Sequence, residues 1–108
     1  MQEIINHLKI FDKERGWNSY DKALTRDEKI KNLYMTVTHM LGEFGEFANI
    51  VKKCHRDNEW HEDKLKEELV DTFIFLLKIS MTLNMDIKEE YFKKMKINEE
   101  RFKPNKNS

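Results

Sequence analysis

The chain is expected to be all-α: a single four- to five-helix bundle, completed by pairing with further copies of itself. Glycine and proline are scarce, 3 and 1 of 108 residues. Charged residues at 37% nearly match apolar ones at 39%, a balance that suits long helices better than a turn-rich sheet. Apolar residues recur at helical spacing over long stretches, and the breaks between them carry helix-starting signals. At this length only one domain with a modest core fits. We assign it to residues 1–103 and expect 104–108 to be a disordered tail.

Each helix has its own warrant. The first is expected from about Gln2 to Glu14, because Ile4, Ile5, Leu8 and Phe11 share one face and Gly16 stops the run. RGWNSYDKAL is then a linker. Thr25 followed by Glu28 has the form of a capping box, after which Ile30, Leu33, Val37, Met40, Leu41, Phe44, Phe47, Ala48 and Val51 keep helical spacing to about Lys53. KCHRDNEWHED reads as a polar connection to a third helix, from about Lys64 to Leu83. Asp86 with Glu89 offers another capping box and opens a fourth helix that ends near Arg101, ahead of Pro104.

Charge and cysteine content narrow the classes. Lys plus Arg and Asp plus Glu number 20 each, so net charge argues for neither a nucleic-acid nor a membrane surface as the main partner. A single cysteine, Cys54, excludes an internal disulfide, and the N-terminus is amphipathic and unlike a secretory signal, so a cytoplasmic protein is expected. The most apolar run, LVDTFIFLLKISMTL, is shorter than the roughly 20 residues a bilayer needs and carries Asp71 and Lys78.

Chemistry enters with two acidic pairs. On a helical projection Glu43 falls inside the apolar arc of the second helix, between Ile50 and Phe47, with Glu46 at the edge of the arc. In the third helix Glu68 projects between Phe75 and Ile79, and Asp71 sits at the margin. Each pair spans one turn, about 4.5 Å of rise. An ExxE or ExxD taken alone ordinarily marks a solvated face, but these acids coincide with apolar arcs, where an unpaired charge is costly. If all four converge within about 6 Å, each like-charge pair costs roughly 3 kcal/mol at an effective dielectric near 20. The acids are then protonated, neutralised by Lys or Arg, or neutralised by divalent cations. An all-oxygen cluster with open positions is the kind that Mg²⁺ takes, with Mn²⁺ as the alternative ion.

The spacing Glu43-x-x-Glu46, 21 intervening residues, Glu68-x-x-Asp71 resembles the MazG-like branch of the all-α nucleoside triphosphate pyrophosphatases. LGEFGEFANIVKK is similar to the family's first acidic helix, LKEELVDTFIFLLKIS to its second, and KMKINEERFKP to the closing helix of the dCTP pyrophosphatase-type members. FDKERGW is similar to their N-terminal region. The resemblance implies Mg²⁺-dependent hydrolysis of a nucleoside triphosphate between the α and β phosphates, giving a monophosphate and pyrophosphate. It makes Glu43, Glu46, Glu68 and Asp71 metal ligands, with Glu46 the choice for orienting or deprotonating the attacking water. It also makes Lys94, Asn98 and Arg101 substrate contacts, and their spacing puts them on one helical face. Trp17 would stack on the base; its alternative role is to seal the bundle end. Dimers or dimers of dimers, with sites between subunits, follow from the same resemblance. The chain departs from the family at Gly42, where many members carry another glutamate. Val70 replaces a frequent small residue, and Phe75 stands where dCTP-type relatives carry tyrosine, so base preference is open.

Other residues have ordinary readings. Trp60 is expected to pack or lie in an interface, and Met35, Met40, Met81, Met85 and Met95 to fill core or interface. His39 borders the site or is a hydrogen-bonded structural histidine. Cys54, His55 and His61 make only a weak zinc signal. The third helix is apolar around so much of its circumference that one chain struggles to cover it, which independently predicts a homo-oligomer. Two other functions compete: a non-catalytic helical oligomerisation module whose acids bind metal or basic partners, and a phosphoribosyl-ATP- or dUTP-type hydrolase of the same superfamily.

Overall fold

The computed structural model describes residues 1–104, so all but the first residue of the expected tail lies outside it. Four α-helices follow one another: α1 (Gln2–Glu14), α2 (Arg26–Asp57), α3 (Glu62–Thr82) and α4 (Ile87–Arg101), with a short 3-10 turn at Ser19–Asp21 between the first two. No strand occurs among the described residues.

The starts of α2 and α4 follow the capping signals. The Thr25 hydroxyl accepts from the Glu28 N–H at 3.2 Å while Glu28 accepts from the Thr25 N–H at 2.9 Å, a complete box. At α4 only half of the box forms, with Asp86 accepting from the Glu89 N–H at 3.1 Å. Helix α2 runs four residues past its expected end at Lys53, taking up the first part of the polar connection. No breaker stands before Asn58, and His55 and Arg56 in the last turn suit the negative end of the helix dipole. Asn58, with φ 52°, then ends the helix in the left-handed conformation.

The end of α1 matters most for the site. Gly16 has φ 70°, and two bonds close around it: Gly16 N–H to the Lys13 carbonyl at 3.2 Å and Trp17 N–H to the Asp12 carbonyl at 2.8 Å. This is the Schellman arrangement, which brings the residue after the glycine back onto the helix. Trp17 accordingly packs against Phe11, with ring centroids 6.3 Å apart.

Helices α2 and α3 pair antiparallel, as a short connection requires. Asn32 donates to Thr82 at 3.5 Å, and His39 stacks on Phe75 at 5.9 Å between centroids. One step further toward the connection, Glu43 meets Glu68 and Asp71. Helix α1 and the 3-10 turn cover the other side of α3, where Leu8, Tyr20, Leu77 and Met81 form a small buried core supported by Ile5, Phe73 and Ile74.

The four helices do not close a bundle around that core. The radius of gyration is 17.7 Å, against about 13 Å for a compact domain of this length. Neither α2 nor α4 has a buried residue among those described. Leu41 and Phe44 on α2, Leu69 and Leu76 on α3, and Phe92 and Ile97 on α4 all face solvent. Of the methionines expected as filler, Met81 is buried, Met40, Met85 and Met95 are half-buried and Met35 is exposed.

Candidate functional site

Pairing of α2 with α3 brings three of the four expected acids together. One carboxylate oxygen from each of Glu43, Glu68 and Asp71 lies within 4.8 Å of the others. Glu68 is buried, and its Oε2 has no hydrogen-bond partner among the described residues. An orphaned buried carboxylate oxygen is costly in a finished protein interior, and a cation is one of the few groups that satisfies it. Burial, the neighbouring Glu68 carboxyl, and the charges of Glu46, Glu68 and Asp71 together push the Glu43 carboxyl above its ordinary value. The donor set, all hard oxygen with no sulfur or imidazole, suits Mg²⁺ or Mn²⁺.

Glu46 lies outside this group of three. It is exposed one turn further along α2, and its charge is felt by both Glu43 and Lys64. Lys64 went unremarked in the sequence, although it stands four residues before Glu68 on the same helical face. Its ammonium reaches Glu68 Oε1 at 3.3 Å and Glu67 at 3.8 Å. Lysine neutralisation, one of the three remedies foreseen for clustered acids, is thus partly realised. It leaves Glu68 Oε2, Glu43 and Asp71 without a cationic partner among the described residues.

Beside the cluster runs a groove of about 700 Å³, lined in part by Phe11, Trp17, Glu43, Asp71, Phe75 and Lys78. Its lining combines Glu43 and Asp71 of the cluster with the rings of Phe11, Trp17 and Phe75. A smaller hollow of about 320 Å³ adjoins it and shares Trp17, Phe75 and Lys78, with His39 on its far wall. Trp17 keeps 57% of its surface exposed, so its indole is available to a planar ligand. His39 lies on this hollow rather than among the acids and is held by its stack on Phe75.

A second buried ionic group underlies the groove. Asp12 is fully buried, accepts from the Tyr20 hydroxyl at 2.5 Å, and faces the Lys78 ammonium at 3.4 Å. Burial, followed by the hydrogen bond to Asp12, raises the Tyr20 phenol far above its ordinary value, so Tyr20 is a permanent donor. The sequence offered only a faint signal here: Asp12 lies one turn after Leu8 on the inner face of the first helix. Lys78 had served only as an argument against a membrane span.

The remaining expected residues are not brought to the cluster within this protomer. Lys94 and Arg101 are exposed, Arg101 lies over the Phe102 ring at 5.0 Å, and Asn98 donates weakly to Met95 Sδ at 3.8 Å. None of the three is among the residues lining the groove or the adjoining hollow. In the second connection His61 pairs with Glu59 at 2.9 Å and Trp60 is 72% exposed, while Cys54, near the end of α2, is half-buried. None of the described helices is long and apolar enough to cross a membrane. Compared with protein-family models, curated proteins and solved structures, the chain has no match.

Proposed function

We propose that the chain is a MazG-like, Mg²⁺-dependent nucleotide pyrophosphohydrolase, cleaving a noncanonical or surplus (d)NTP between its α and β phosphates in cytoplasmic pool cleaning. The observation that carries this reading is the meeting of Glu43, Glu68 and Asp71 from two helices, with a buried Glu68 oxygen left unsatisfied, beside an aromatic groove. Glu43, Glu68 and Asp71 would hold the ion, with Glu46 as the fourth ligand. When bound, Mg²⁺ (or Mn²⁺) offsets the clustered negative charge, screens the phosphate chain and acidifies the attacking water.

The side chains have separate tasks. Glu46, exposed beside the cluster, accepts the proton of the water that attacks the α phosphorus; the bond from that phosphorus to the bridging oxygen breaks, and pyrophosphate leaves. Trp17 stacks on the base in the groove. Lys94, Asn98 and Arg101 supply phosphate contacts from α4. Since α4 does not line the groove of its own protomer, these contacts come from a second copy in a homodimer or homotetramer. The apolar residues left on α2, α3 and α4 favour such an assembly.

Incubation with a panel of ribo- and deoxynucleoside triphosphates and Mg²⁺, with nucleotide and phosphate products read together, tests the reading. Pyrophosphate and a monophosphate from at least one substrate are expected, with activity lost in a folded Glu43→Gln variant. Orthophosphate, or no product from any substrate, defeats it. The competing reading, a non-catalytic oligomerisation module, draws on the same exposed apolar faces and on the Lys64–Glu68 ion pair. It predicts the assembly without turnover.

A further inference from the structure

The Asp12–Tyr20–Lys78 group has no part in the chemistry above, yet it lies against the groove. Asp12 is fully buried, and its carboxylate is fixed by the Tyr20 hydroxyl at 2.5 Å. It holds the Lys78 ammonium by charge at 3.4 Å, in an ion pair without the alignment of a full hydrogen bond. An ammonium has three donors and no acceptor. No hydrogen-bond acceptor for Lys78 is found among the described residues apart from this loose pairing, although its side chain is only 19% exposed.

What it faces is specific. The ammonium lies 5.7 Å from the ring centres of both Trp17 and Phe75, and Lys78 lines both the groove and the hollow behind it. Asp71 and Lys78 stand seven residues apart on α3, two turns along one face, or about 10.5 Å of rise. That is the scale of a nucleoside from its 5′ oxygen to the far edge of its base. A nucleotide with its phosphates at the acidic cluster and its base beside Trp17 therefore brings the edge of the base to Lys78.

A donor-only group at that edge is selective. Guanine, hypoxanthine, uracil and thymine present a carbonyl oxygen where adenine and cytosine present an amino group, which cannot accept from an ammonium. Asp12, itself held by the Tyr20 hydroxyl, draws the ammonium to this wall by charge, so an amino group placed there meets a donor and not an acceptor. We infer that Lys78, positioned by Asp12, is a specificity-determining residue that selects keto-bearing nucleobases over amino-bearing ones.

The inference rests on the proposed nucleotide reading, and matched pairs separate the two. The ratio of kcat/KM is measured for dITP against dATP and for dUTP against dCTP, with Mg²⁺. In parallel, Kd is measured for the corresponding monophosphates from Trp17 fluorescence in a Trp60→Phe background. The keto member of each pair is expected to be preferred by about tenfold or more, as one charge-assisted hydrogen bond provides. In the charge-balanced Asp12→Asn/Lys78→Met variant the ratio falls to about one, with the loss carried by the keto member. Lys78→Gln, whose amide still donates to Asp12 but offers the base an acceptor as well, serves if the double variant does not fold. A ratio near one in the wild type, or a preference unchanged in the variant, overturns the inference. Selective binding without hydrolysis leaves the inference standing and removes the enzyme reading; hydrolysis with a ratio near one does the reverse; absence of both removes both.

Discussion

Glu68 is the most deeply buried member of the acidic cluster, a carboxylate at 5% exposure with one oxygen on Lys64 and no hydrogen-bond partner for the other among the described residues. Its neighbour Glu43 shows the consequence, a carboxyl pushed upward by burial first and by Glu68 next. A raised folded-state pKa means that the native protein keeps a proton which the unfolded chain releases. The stability linked to Glu43 is therefore complete at acid pH and is lost as pH rises through its folded-state value. Glu28 and Asp57 are shifted downward and contribute the opposite slope, so the prediction concerns a difference. In metal-free protein, Glu68→Gln is expected to weaken the loss of stability with rising pH relative to wild type, and urea unfolding at several pH values checks this. A steeper loss would mean that Glu68 is a structural ion-pair partner and not a member of a strained acidic cluster. Glu43 and Glu68 were legible because charges inside an apolar arc stand out at a period of 3.6 residues, and Asp71, at the margin of its arc, followed one turn after Glu68. Glu46, at the edge of its arc as Asp71 is of its own, is left in solvent, because an edge position does not fix which side of the helix pairing a carboxylate falls on. Asp12 and Lys78 were not legible, because their pairing depends on how α1 lies against α3, which periodicity does not encode.

At the level of elements, a single backbone conformation sets one wall of the groove. Gly16 at φ 70° lets Trp17 return to Asp12 and Phe11, and a Cβ there meets no other atom within 4 Å, so conformation alone decides its substitution. An L-residue in this region is disfavoured by about 1–2 kcal/mol. Gly16→Ala is expected to lower stability by about that amount and to shift Trp17 fluorescence in a Trp60→Phe background, as urea unfolding and emission spectra report. Unchanged stability and emission would show that the glycine is not what places the indole. The starts of α2 and α4 were legible from their capping residues, as the complete box at Thr25 illustrates. The end of α2 was not, because polarity in KCHRDNEWHED resembles a loop, while the breaker that physically ends the helix is Asn58.

Considered whole, the protomer has too little interior for its apolar content. Leu77 and three companions form the buried core, while residues such as Phe44, Leu69 and Phe92 remain in water, and the chain is more extended than its length warrants. Light scattering at micromolar concentration is expected to give a dimer or tetramer of the 13.2 kDa chain. A monomer would remove the source proposed for Lys94, Asn98 and Arg101. The apolar circumference of the third helix made this incompleteness visible in the sequence. What covers each face was not visible, because complementarity between surfaces lies in shape and not in spacing.

The meeting of three carboxylates around a cation is the claim on which the enzyme reading stands, and crystals soaked in Mn²⁺ test it most directly. Anomalous scattering is expected to place an ion between the carboxylates of Glu43, Glu68 and Asp71, with Glu68 Oε2 among its ligands. An empty cluster with Lys64 still on Glu68, at Mn²⁺ concentrations that occupy ordinary carboxylate sites, would contradict the account.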